Sequence, residues 1–147
     1  MARPRILLVG GHPLVAAMFT EHLHHDGRYQ LESVLYCDDA LAVLQRRRFD
    51  LVLVLSLQVP WRKWPRLHSP ARRIANAFLF LNHMRAFRDP PPIILVSGSP
   101  LDEVEKQALA HGAFAFIHKP FDLRELDRVL VLALENRKGS QLILPFG

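Results

Sequence analysis

The stretch Phe49-Asp50-Leu51-Val52-Leu53-Val54-Leu55-Ser56-Leu57-Gln58-Val59-Pro60 decides the fold. Leu51 to Leu55 is an unbroken apolar run with no alternation, so both faces of the segment require burial. That is the pattern of a central strand in a parallel sheet. The run closes on the small hydroxyl of Ser56, and Pro60 cannot continue a ladder. Open parallel sheets carry their chemistry at the carboxyl ends of their strands, which puts Ser56 where a site is expected.

Outward from this strand the same grammar repeats. Ile6-Leu7-Leu8-Val9 is a second short apolar run, closed by Gly10-Gly11. Leu14, Val15, Met18, Phe19 and Leu23 then recur at helical spacing up to Asp26-Gly27. Tyr29 to Tyr36 is rich in strand formers, and Asp38 or Asp39 is expected to cap a helix ending at Arg46-Arg47-Arg48. Beyond Pro60, Val59–His68 reads as a loop, and Ser69-Pro70 opens a helix expected to run to about Arg88, before Asp89-Pro90-Pro91-Pro92. Ile93 to Val96 is a buried strand followed by Ser97-Gly98. Ser99-Pro100-Leu101-Asp102 is a capping box for the next helix, which Gly112 ends. Ala113 to Ile117 is a fifth strand, followed by His118-Lys119-Pro120. Asp122 and Glu125 form a capping pair for a last helix with Leu126, Leu130 and Ala133 inward. Five strands alternating with five helices define an α/β domain with a parallel sheet. Its loops deliver Gly10, Gly11, His12, Ser56, Ser97 and Lys119 to one end.

The bulk properties limit the function classes. The chain has 147 residues, enough for one domain with a sizeable core, and half of them are apolar. No apolar run reaches the ~18 residues of a membrane span, no signal peptide is visible, and the single cysteine, Cys37, excludes an internal disulfide. A cytoplasmic location is expected. The formal net charge of +5 resides in one segment: between Val59 and Met84 lie Arg62, Lys63, Arg66, Arg72 and Arg73 with no acidic residue, and the rest of the chain balances. His22, His24 and His25 fall at the end of the first helix and read as a solvated helix end.

Three stretches together resemble the receiver domain (CheY-like) of two-component response regulators, over residues 4–137. They are Ile6 to Val15, Pro92 to Gly98, and Gly112 through Lys119-Pro120-Phe121-Asp122 to Leu126. The resemblance implies a flavodoxin-like (βα)5 three-layer sandwich, with a five-stranded parallel sheet of order 2-1-3-4-5. It also implies phosphoryl transfer from a histidine kinase to an aspartate, with Mg²⁺ held by that aspartate and an acidic pair. Carried over by position, the acidic pair falls on Gly10 and Gly11 and the acceptor on Ser56. Ser97 and Lys119 match the family's hydroxyl and lysine, and Phe116 stands at its switch aromatic.

All three carboxylates are thus absent. Mg²⁺ requires carboxylate oxygens, and a serine forms no acyl phosphate, so neither metal binding, phosphorylation nor another enzymatic activity is expected. The sequence reads as a degenerate, stand-alone receiver over 1–137, with an apolar tail at 138–147. It would act through protein contacts, with another regulator or a kinase as partner. The insertion at about 59–75, with Trp61, Arg62, Lys63, Trp64, Arg66, Arg72 and Arg73, is the candidate partner surface. Helix 4, strand 5 and helix 5, with Lys106, Glu125, Asp127 and Arg128, form the candidate homodimer face. Two alternatives stand beside this reading. A phosphate, sulfate or small acidic metabolite could occupy the vacated pocket by Gly10, Gly11, Ser56, Ser97 and Lys119. The basic insertion could instead bind nucleic acid, although its short length favours protein; no membrane role is expected.

Overall fold

The computed structural model describes residues 3–25, 27–62, 70–98 and 102–136, with the backbone alone for 70–75 and 102. The elements follow in the order β1 (Arg5–Val9), α1 (Pro13–His24), β2 (Gln30–Val34), α2 (Cys37–Arg46) and β3 (Leu51–Val54). They continue with α3 (Pro70–Arg85), β4 (Ile93–Ser97), α4 (Asp102–Ala110), β5 (Ala115–His118) and α5 (Leu123–Asn136). The strands form one parallel sheet of order β2-β1-β3-β4-β5, the order implied by the resemblance. Each strand hands over to a helix that returns across a sheet face, the right-handed solution for parallel crossovers.

The unbroken apolar runs are explained by two cores. Leu7, Val9, Val52, Val54 and Leu95 point to one face, against Ala40 of α2, Phe80, Leu81 and Met84 of α3, and Val104 and Ala108 of α4. Ile6, Leu8, Leu51, Leu53, Ile94 and Val96 point to the other, against Phe19 and Leu23 of α1 and Leu126, Leu130 and Ala133 of α5. Strand β3, paired on both edges and covered on both faces, is fully buried from Leu51 to Val54.

Element boundaries depart from the sequence expectations where a tertiary hydrogen bond settles the end. Helix α2 starts at Cys37, ahead of Asp38, with Tyr36 at its N-cap and no side-chain cap. The Cys37 N–H donates to the Pro60 carbonyl at 2.9 Å, so this orphan donor of the helix start needs no capping carboxylate. Helix α3 stops at Arg85 rather than Arg88, closed by tight bonds from Ala86 N–H to His83 O and Phe87 N–H to Met84 O. Strand β5 begins two residues later than expected, because Ala113 N–H is bonded back to Ala108 O at the end of α4. Residues 99–101 of the capping box and the tail at 138–147 lie outside the described residues. Among the described residues no helix is long and apolar enough to cross a membrane.

Because both faces are packed, Leu53→Ala and Leu95→Ala, on adjacent strands but opposite faces, should each destabilise the domain by about 2–5 kcal/mol in denaturant titrations. A sheet with one solvated face would respond to only one of them.

Candidate functional site

The turns that follow β1, β3, β4 and β5 meet at the carboxyl end of the sheet. Val9 is in register with Val54, and Leu55 N–H donates to Val9 O at 3.0 Å, so Gly10 and Gly11 lie beside the chain as it leaves β3. Both glycines are in the left-handed region, at φ 76° and 86°. A Cβ on Gly10 would stand 2.7 Å from Val59 Cγ2, and one on Gly11 would stand 2.9 Å from Leu55 Cβ. These separations are below any ordinary carbon–carbon contact, so a branched side chain and a backbone-proximal methylene occupy the space where any side chain at position 10 or 11 would begin.

Of the five pocket residues named from sequence, the structure brings Gly11, Ser56 and Lys119 to the lining of one cleft of about 350 Å³, together with His12, Val15 and Leu35. Gly10 is buried beneath Val59, and Ser97 is buried at the end of β4, with 6% exposure; neither lines the cleft. The Ser56 Oγ accepts a hydrogen bond from Gln58 N–H at 3.0 Å, forming the tight turn that directs the chain back over β1. Lys119 N–H donates to Ser97 O at 2.8 Å while its side chain is exposed, and a cis bond joins it to Pro120. His12 is structural: as N-cap of α1 its Nδ1 accepts from Leu14 N–H at 3.1 Å. Among the described residues no three His, Cys, Asp or Glu side chains form a group suited to a metal ion.

Phe116 points into the core beneath α3 and α4 and is 9% exposed, with its ring 4.8 Å from that of His118. Cys37 is fully buried, and loss of hydration, reinforced by the neighbouring Asp38 charge, pushes its thiol pKa up.

The candidate contact residues divide. Trp61 is a correction to the surface reading: it is 4% exposed, and its indole N–H donates to Asn76 O at 3.0 Å, so burial satisfies both ends of the side chain. Arg62 is exposed but held. Its Nε donates to Asp39 at 3.1 Å, its backbone N–H donates to Asp38 Oδ1, and its guanidinium lies 4.2 Å from the Tyr36 ring centroid. Lys63, Trp64 and Arg66 lie outside the described residues. Arg72 and Arg73 fall in α3, with their side chains likewise undescribed.

On the candidate dimer face, Lys106, Glu125 and Arg128 are exposed. Asp127 is turned elsewhere, hydrogen-bonded at 2.9 Å to His22 Nε2, and so joins α5 to α1. The α4–β5 edge carries instead a polar contact that sequence spacing gave no sign of, His118 Nε2 with Glu105 Oε2 at 3.3 Å.

The sequence matches no protein-family model and no curated protein sequence. Its fold does match solved structures. The signal receiver domain of an HD domain-containing protein from Pseudomonas fluorescens Pf-5 aligns over 95% of this chain and 100% of its own, with 24% identity and a TM-score of 0.75. A CheY-like response regulator receiver domain from Methanospirillum hungatei JF-1 aligns over 93% and 98%, with 22% identity and a TM-score of 0.74. NtrX from Brucella abortus aligns over 93% of this chain but 27% of its own length, with 23% identity and a TM-score of 0.72. The chain therefore has the receiver fold, and at these identities the likeness speaks for architecture alone.

Two measurements test this geometry. Gly10→Ala should destabilise the protein by about 1–3 kcal/mol through its left-handed backbone, with overpacking against Val59 adding a comparable amount. Gly98→Ala, which has no positive φ and no heavy atom within 4 Å of the new methyl, should be near neutral. Cys37 should resist alkylation at pH 8 in the folded protein and label readily in denaturant.

Proposed function

We propose that this chain is a receiver-fold signalling module that operates without aspartyl phosphorylation, by docking to a protein partner in one fixed state. One observation carries the reading: the occupation of the acid positions by Val59 and Leu55 against two left-handed glycines. Phosphoryl transfer on this fold requires a carboxylate acceptor and charge positioned around the transferring oxygens. Here the acceptor position holds Ser56, whose oxygen is engaged in a local turn. Substituting aspartate at position 10 would not recover the site, because the Cβ has no room and the backbone is in the wrong region.

The partner class that fits is another regulator or a kinase, as for two-component proteins in general. The exposed residues of the α4–β5–α5 face, Lys106, Glu125 and Arg128, suit a homodimer or a heterologous contact of mixed charge. A second reading is supported by the persistence of the cleft at the sheet end. With Lys119 and Ser56 at its lining and no carboxylate among its walls, phosphate or sulfate is the ligand class that suits it, and Mg²⁺ is not.

Incubation with a small phosphodonor and Mg²⁺ should leave the intact mass unchanged, and the triple variant Gly10→Asp, Gly11→Asp, Ser56→Asp should remain unphosphorylated and melt lower than the parent. A stable phosphoryl adduct on the parent chain would overturn the proposal.

A further inference from the structure

In a parallel α/β domain the helices run back against the strands, so helix carboxyl ends and strand amino ends share one side of the molecule. The fold thereby collects arginines that are far apart in sequence. Arg3 and Arg5 stand at the start of β1, Arg28 just before β2, Arg46, Arg47 and Arg48 at the end of α2, and Arg85 and Arg88 at the end of α3. This side is opposite the cleft of Ser56 and Lys119.

The collected arginines border a furrow. A cavity of about 320 Å³ is lined by Arg46, Arg47, Arg48, Phe87, Asp89 and Pro91. A second, of about 380 Å³, is lined by Arg85, Asp89, Pro91, Phe114 and Asn136 among others. Asp89 and Pro91 line both, so the two cavities are neighbours on the side of the amino ends of β3, β4 and β5. Opposing charge is limited, and Glu135 at the end of α5 contributes to it without lining either cavity. Asp89 pairs with Arg48 at 3.3 Å, Arg47 pairs with Glu32, and Asp50 is hydrogen-bonded to the backbone N–H of Arg5. Arg46, Arg85 and Arg88 meet no carboxylate among the described residues.

We infer that this furrow docks the sugar-phosphate backbone of a single-stranded nucleic acid. The cations around it are all arginine, whose planar fork matches phosphate oxygens two at a time. Phe87 and Phe114, half-buried along it, add aromatic surface of the kind on which bases rest. A membrane surface would need exposed apolar anchors amid the charge. The large exposed apolar side chains, Leu14, Met18, Leu35, Leu109, Leu123 and Val131, all lie outside the lining of either cavity.

Fluorescence anisotropy with labelled mixed-sequence DNA and RNA single strands of about 15 nucleotides, against the matching duplex, tests the inference. The full chain should bind the single strands in preference. The Arg46→Ala, Arg48→Ala, Arg85→Ala variant should weaken binding at least about tenfold and flatten the dependence of log K on log salt by about 2, from three lost phosphate contacts at about 0.7 each. Asp89→Ala, which removes the furrow's own carboxylate, should tighten binding, an effect that damage to the fold would not produce. Circular dichroism checks that both variants fold. The inference is overturned by an absence of binding at 50 mM salt, by duplex binding alone, by capture on phosphatidylserine vesicles without nucleic-acid binding, or by dependence on Arg62, Lys63 and Arg66 in place of the furrow arginines.

Discussion

The carboxyl end of the sheet is organised by one close approach, that of the chain leaving β3 to the two glycines that end β1. With no Cβ at positions 10 and 11, Val59 and Leu55 come nearer to this backbone than any other residue there would allow. Both glycines must be left-handed for β1 to turn into α1 along this path. The close approach therefore depends on glycine at both positions. Carboxylates would need the very volume that the apolar side chains now fill, and placing two like charges beside an apolar plug would also carry a desolvation cost.

From that contact the chain is tied down residue by residue. Ser56 closes a turn with Gln58, Pro60 offers its carbonyl to the first turn of α2, and Trp61 enters the core beside α3. Asp38 and Asp39, at the positive end of the α2 dipole, receive Arg62. The segment that leaves β3 is thus anchored to two helices, α2 and α3, which restrains it from adopting a second arrangement.

The architecture was legible in the sequence because doubly buried strands leave a strong mark. Leu51 to Leu55 and Ile93 to Val96 cannot be anything but interior. That no carboxylate ends β1 was equally plain from Gly10-Gly11. What packs against these glycines was not legible. Val59 stood at the head of an apparently irregular loop, and no periodicity links it to Gly10, 49 positions earlier in the chain. Trp61 and Trp64 carry the same local signal, so sequence offered no ground for burying the first; the deciding factor is the Asn76 carbonyl, which becomes available only once α3 is docked. Asp127 was read by its helix position, and its attraction to His22 depends on the packing of α5 against α1.

The spatial distribution of charge was not legible for a related reason. Outside the insertion, positive and negative residues are equal in number, and a sum along the chain treats them as cancelling. In space they do not mix evenly. The carboxyl end of the sheet interleaves both signs, with Asp38, Asp39, Glu105 and Asp122 near Arg62, Lys119 and Arg124. The amino end collects Arg3, Arg5, Arg28, Arg46, Arg47, Arg48, Arg85 and Arg88 around few carboxylates. A potential that reaches a partner depends on this segregation and not on the total. With a Debye length of about 8 Å at physiological salt, the two ends of the sheet are electrostatically separate surfaces.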